Sequence, residues 1–203
     1  MAYIGMRHPV FAPVESYEPG QPITYGEGVV LGKAIGATLT LQRTDTSLYA
    51  DDMKAEADNS VTGGTVSLEL DDIKHEDAMK ALGLIKRTVN EKTVYSTSGQ
   101  AAPYGGCGWI RERKLNGVIS YVVHWVHRLQ LGQNTKNAAT KGQTITYQTT
   151  TLDGEVLGAQ VDESMETFYV DEIPMDTVAE AIAWLDTMAN VPSAQSAQVE
   201  AGA

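Results

Sequence analysis

The chain has 203 residues, 42% hydrophobic and 20% charged, which is globular composition with enough length for one sizeable core or two small ones. It has no run of about 18 apolar residues to span a bilayer, and Met1-Ala2-Tyr3-Ile4-Gly5-Met6 lacks the basic and apolar regions of a cleaved export signal. The single Cys107 can make no internal disulfide, and with His8, His75, His124 and His127 scattered it supplies no zinc cage.

Charge is unevenly placed. Residues 1 to 141 hold all fifteen Lys and Arg against fifteen acids, whereas Gly142 onward holds eleven acids and no base, for a net charge of −11. Proteins that grip nucleic acid neutralise phosphates with Lys and Arg, so this chain is expected to repel a phosphate backbone. The acidity serves either solubility alone or a low-friction surface.

Taken in chain order, residues 1–33 carry Pro9, Pro13, Pro19 and Pro22 with Gly20, Gly26, Gly28 and Gly32, and read as an extended arm. The folded domain is placed at residues 34–189. Its first strand runs from Ala34 to Gln42, where Ile35, Ala37, Leu39 and Leu41 alternate with polar residues. The alternation returns at Thr65 to Asp71, with Val66, Leu68 and Leu70 on one side. Between them the segment 44–60 has five acids and one lysine, longer than the usual hairpin connection of about 2–5 residues, and reads as a projecting loop or extended hairpin.

Asp71 and Asp72 suit the positive end of a helix that Gly83 stops after Leu82. A second helix is expected from Asp176 or Thr177 to Met188, with Thr177 and Glu180 at capping-box spacing. Asn116-Gly117 marks a type I′ hairpin turn. If Leu115 opposes Val118, then Ile110, Glu112 and Lys114 face Val123, Tyr121 and Ile119, and Gly108 faces Trp125, a core face. The reverse face collects Trp109, Arg111 and Arg113, a mixture suited to a subunit interface or a channel wall. A further turn is read at Asp153-Gly154, joining a threonine-rich strand from Thr144 to Thr151 to Val156 onward. Residues 190–203, rich in Ala, Ser and Gln, read as a flexible tail. The predicted class is mainly β, a β-sandwich or partial barrel with two peripheral helices.

No constellation commits the chain to catalysis, a cofactor or a metal. His124 and His127, three apart on a strand, project to opposite faces and read as packed histidines. Asp51, Asp52, Glu56 and Asp58 lack the order and turn glycine of a calcium loop. Cys107 beside Gly105, Gly106 and Gly108 has no base nearby in sequence and reads as a small buried strand residue. Those glycines precede a strand, which rules out a phosphate cradle on a helix N-terminus.

The ordered set of features resembles the major tail proteins, or tail tube proteins, of long-tailed bacteriophages of the siphophage type. The resemblance rests on Thr38 to Asp52 with Leu48-Tyr49-Ala50-Asp51-Asp52, Gly63 to Asp72 leading to Ala81-Leu82-Gly83, and Tyr104-Gly105-Gly106-Cys107-Gly108. It continues through Tyr121 to Leu131, then Lys141 to Thr149 with Leu152-Asp153-Gly154, and ends at Ala181 to Leu185, so it spans nearly the whole chain. It implies a structural virion protein, not an enzyme, assembled in the host cytoplasm into stacked rings, usually sixfold in that family, whose tube conducts the genome during ejection. Its implied partners are other copies of itself, a tape measure protein, and tail terminator and distal tail proteins, with DNA passing without tight binding and no membrane involved. Leu48, Tyr49, Asp51, Asp52 and Met53 fall on the loop that in this family stacks on the neighbouring ring. The alternative of a different class is a capsid- or tail-attached β-sandwich decoration or adhesion module.

Overall fold

The structure is a computed structural model that describes residues 2–18, 20–50, 53–136, 138, 140, 148–164 and 166–192, without the side chains of residues 2 and 47–57. In chain order the elements are β1 (Ala2–Ser16), β2 (Thr24–Tyr25), β3 (Val29–Val30), β4 (Ala34–Arg43), β5 (Thr46–Ala50), β6 (Met53–Asp58), β7 (Val61–Leu70) and α1 (His75–Leu82). They continue with β8 (Ile85–Val89), β9 (Lys92–Ser96), β10 (Tyr104–Leu115), β11 (Val118–Gly132), β12 (Thr150–Leu157), β13 (Val170–Met175) and α2 (Val178–Met188). The protein is mainly antiparallel β with two short helices, as the alternating pattern predicts.

The principal sheet runs β2-β1-β10-β11-β12-β7-β4, with β3 added to β1 and β13 to β11. Its pivot is β11, a strand of 15 residues. One edge of β11 pairs with β10 along most of its length, while the other is divided: residues 121–126 pair with β13 and residues 128–132 with β12. Beyond the division, β12, β7 and β4 curl over until β4 lies against β1. The sheet is therefore an incomplete barrel at one end and a flat four-stranded layer, β1-β10-β11-β13, at the other.

Each part has its own core. Inside the curl, Phe11, Leu31, Val66, Leu68, Leu70, Cys107, Trp109, Leu129, Leu131, Leu152 and Val156 are buried together, and α1 closes the end with Ala81. On the outer face of the flat layer, α2 sets Ala181 and Leu185 against Val10, Ile110, Val123 and Trp125. Burying a leucine, valine or isoleucine side chain such as Leu185 contributes about 1.5–3 kcal/mol relative to exposure, which is what holds an 11-residue helix to the layer. Thr177 caps α2 by accepting from Glu180 N at 3.3 Å, as expected.

The Asn116-Gly117 turn has φ of 50° and 85°, and the predicted β10–β11 register holds throughout, with Gly108 opposite Trp125 and Leu115 opposite Val118. Within the segment 44–60, β5 and β6 pair antiparallel as a separate two-stranded sheet, the β5–β6 hairpin. Gly83 ends α1 in the left-handed region at φ 66°. Asp71 and Asp72 do not cap the helix, which starts later; they bind backbone N–H groups of Lys33, Asp72 and Ile73 and shape the loop before it.

Three further expectations are corrected. Residues 2–16 are not a separate arm, because they form β1, with Val10, Phe11 and Ala12 wholly buried. The prolines are accommodated because β1 is irregular: its register shifts between Arg7 and Val10, with His8 at φ 56°. Asp153-Gly154 is no turn but the middle of β12, where a Cβ at Gly154 would lie 2.9 Å from Leu131 Cδ2, so close packing selects the glycine. Of the threonine-rich strand, residues 141–147 lie outside the described residues, as do residues 193–203 of the C-terminal tail. The third correction concerns Trp109.

Candidate assembly surface

The flat layer brings together the face on which sequence reasoning placed its interface. Tyr3 and Met6 of β1 lie opposite Arg113 and Arg111 of β10, which oppose Ser120 and Val122 of β11, and beyond these come Glu172 and Pro174 of β13. The Arg111 guanidinium sits 3.5 Å from the centre of the Tyr3 ring, and Arg113 Nε donates to Ser120 Oγ at 3.1 Å. A cation over an aromatic face contributes about 0.5–1 kcal/mol at exposed sites. Both arginines are half-buried, and among the described residues neither forms an ion pair.

Trp109 does not belong to this surface. It is only 2% exposed, covered by its own chain, and stacks on His124 with centroids 5.6 Å apart and planes 14° apart. Its side chain joins the core enclosed by the curl, whereas Arg111 and Arg113, two and four residues further along the same side of β10, lie beyond that core and are half-buried.

Three histidines bind the C-terminal elements to the sheet. His8 Nε2 lies 2.8 Å from Asp186 Oδ1 on α2, and His127 Nε2 lies 3.1 Å from Asp171 Oδ2 on β13. His124 Nδ1 lies 3.4 Å from Glu172 Oε1. The His124 and His127 rings make these contacts off the hydrogen-bond directions, so they are electrostatic neighbours of the carboxylates. Burial pushes the His124 pKa below its ordinary value, Glu172 opposes that shift and Arg111 adds to it. Nearby, Tyr25 donates its hydroxyl to His127 O at 2.8 Å, and burial raises its pKa. These acids were missed in the sequence because His8 and Asp186 are 178 residues apart.

The two histidines of β11 face opposite sides, and among the described residues no cluster of three His, Cys, Asp or Glu could hold a metal ion. Cys107 is fully buried and its thiol is pushed up to about 12 by desolvation, which leaves little thiolate for chemistry. A groove of about 740 Å³ on the outer side of β4, β7 and β12 is lined by Thr38, Thr40, Ser67, Gln130, Asp153 and Glu155, with Ser67 Oγ donating to Asp153 Oδ1 at 2.8 Å.

Of the predicted stacking residues, Leu48 and Tyr49 lie on β5 and Met53 on β6, with Leu48 opposite Glu56 and Ala50 opposite Met53. Asp51 and Asp52 lie outside the described residues. Asp58 accepts from Ser60 N at 3.0 Å, an ordinary turn contact. Among the described residues no helix is long and apolar enough to cross a membrane. Comparison with known proteins found no matching family model and no matching curated protein.

Proposed function

We propose that the chain is a structural subunit that polymerises into stacked rings forming the tail tube of a long-tailed bacteriophage. The observation that carries the reading is the flat layer itself. Its outer strands, residues 2–7 of β1 and all of β13, each leave one edge without a strand partner among the described residues. The four strands alternate in direction, so β1 and β13 run antiparallel to each other. Copies set side by side around an axis can therefore continue one antiparallel ladder from β13 of one to β1 of the next. Ring closure also removes the exposed edges that otherwise invite irregular aggregation.

The projecting β5–β6 hairpin supports stacking of such rings, and the net charge of −11 leaves passing DNA without a foothold. In that assembly the lumen would hold a tape measure protein before DNA, and terminator and distal tail proteins would meet the two ends. Negative-stain microscopy of the concentrated protein tests the reading. Tubes or rings are expected; a 21.9 kDa monomer at every concentration would favour a decoration or adhesion module instead.

A further inference from the structure

Two hairpins stand outside the main sheet, and they carry opposite charge. The segment holding β5 and β6 has Asp45, Asp51, Asp52, Glu56 and Asp58 against Lys54. The β8–β9 hairpin has Lys86, Arg87 and Lys92 against Glu91. An isolated two-stranded hairpin is marginally stable in water, so each is expected to gain a cover. The positions of the hairpins matter as much as their charge. The chain enters β7 at Val61 directly from the acidic hairpin and leaves it at Leu70 toward α1 and the basic hairpin, so the two are attached at opposite ends of a ten-residue strand about 30 Å long.

The basic hairpin has one face spoken for and one open. On the first, Tyr95 lies beside His75 of α1 with ring centres 5.1 Å apart. On the other, Ile85, Arg87 and Val89 alternate along β8, and Lys92 and Val94 stand opposite Val89 and Arg87. Ile85 is 44% and Val89 40% exposed, an apolar pair on the same strip as the cations Arg87 and Lys92. Arg87 donates to Ser96 Oγ at 2.8 Å, and among the described residues no carboxylate lies within ion-pair distance of Lys86, Arg87 or Lys92. On the acidic hairpin the register sets Thr46 against Asp58 and Leu48 against Glu56, so acidic and apolar residue types recur there too.

We propose that the Ile85–Val89 strip of one copy receives the acidic hairpin, residues 44–60, of a second copy. The contact joins different surfaces of the two copies, so it repeats from copy to copy and builds an open stack, while the β1 and β13 edges close each layer. Opposite charge orients the approach, and the exposed isoleucine and valine become covered on arrival. The inference rests on the reading of the chain as a self-assembling subunit and names the surface that its projecting hairpin meets.

Charge exchange tests it. One variant carries Arg87→Glu and Lys92→Glu on the open strip; a second carries Asp45→Lys, Glu56→Lys and Asp58→Lys; a third carries all five. Assembly is followed by sedimentation velocity and negative-stain microscopy, with circular dichroism confirming that every variant is folded. The first two variants are expected to raise the protein concentration needed for stacking about tenfold or more, because like charges then face each other, and the five-site variant is expected to recover it. Normal stacking by either single-hairpin variant would overturn the pairing while leaving the self-assembly reading intact, as would failure of the folded five-site variant to recover. A wild-type protein that stays monomeric would overturn both.

Discussion

Replacing Gly108 with alanine should destabilise the subunit by driving a methyl group into the junction between α2 and the flat layer. A Cβ at Gly108 would lie 2.6 Å from Leu185 Cδ2, 2.7 Å from Trp125 Cε3 and 2.8 Å from His124 O. Leu185 and Trp125 are both fully buried, and the carbonyl belongs to the facing strand, so nothing nearby can yield cheaply. Overpacking of this kind costs about 1–3 kcal/mol, offset by about 0.4–1 kcal/mol because alanine restricts the unfolded chain. The expected net loss is about 1–2 kcal/mol, and at about 2–4 °C per kcal/mol for a chain of this size the melting temperature should fall by about 2–8 °C. Urea and thermal unfolding followed by circular dichroism measure it. Gly36→Ala, where nothing lies within 4 Å of the added carbon, serves as control and should be neutral or slightly stabilising. Leu185→Ala alone should cost about 2–5 kcal/mol, and about 1 kcal/mol less in the Gly108→Ala background, because the new methyl group then occupies part of the cavity. A Gly108→Ala protein as stable as wild type, or strictly additive costs in the double variant, would refute this account of the junction.

His124 supplies a pH test: burial holds its folded pKa below the ordinary 6.5, so the unfolded chain takes up a proton first as pH falls. Its neutral form therefore favours folding fully above about pH 6.5, and that contribution is lost as pH drops below it; His124→Phe, which keeps a ring against Trp109, should flatten this part of a stability-versus-pH curve, and an unchanged slope would count against it. Arg111→Glu with Arg113→Glu should hinder assembly while the half-buried positions still fold, as read by sedimentation and circular dichroism; normal tubes would remove this face from the interface or channel wall. DNA affinity should stay weak, and a submicromolar, strongly salt-dependent dissociation constant in a binding titration would contradict the anionic passage argument.

Local chemistry made much of the fold legible. Thr177 capping Glu180 N, Gly83 in the left-handed region and Asn116-Gly117 at positive φ are each decided by a few adjacent residues, and each appears where the sequence places it. The Asp153-Gly154 pair carries the same turn signature and fails, because the glycine is needed for the approach of Leu129 and Leu131 from the neighbouring strand. Strand β1 was hidden for a related reason. Prolines and glycines forbid a regular strand, but they do not forbid one whose register shifts at His8 and Pro9 while Phe11 still reaches the core.

The candidate surface was half legible because alternation reports the two sides of a strand but not what covers each side along its length. Trp109, Arg111 and Arg113 share one side of β10, and a pattern of period two assigns them one environment. What breaks that equivalence is the core enclosed where β11 divides between β12 and β13: Trp109, although opposite His124 within the layer, still reaches it, whereas Arg111 and Arg113 lie beyond it and stay half-buried. Partners such as Glu172 beside His124 arrive from another strand and carry no local signal in sequence. The same division produces the feature on which the proposed function depends. Once β12 has left the layer, β13 takes its place as a short outer strand, and together with the first residues of β1 it leaves the flat layer with two antiparallel edges, the arrangement that the proposed ring closure requires.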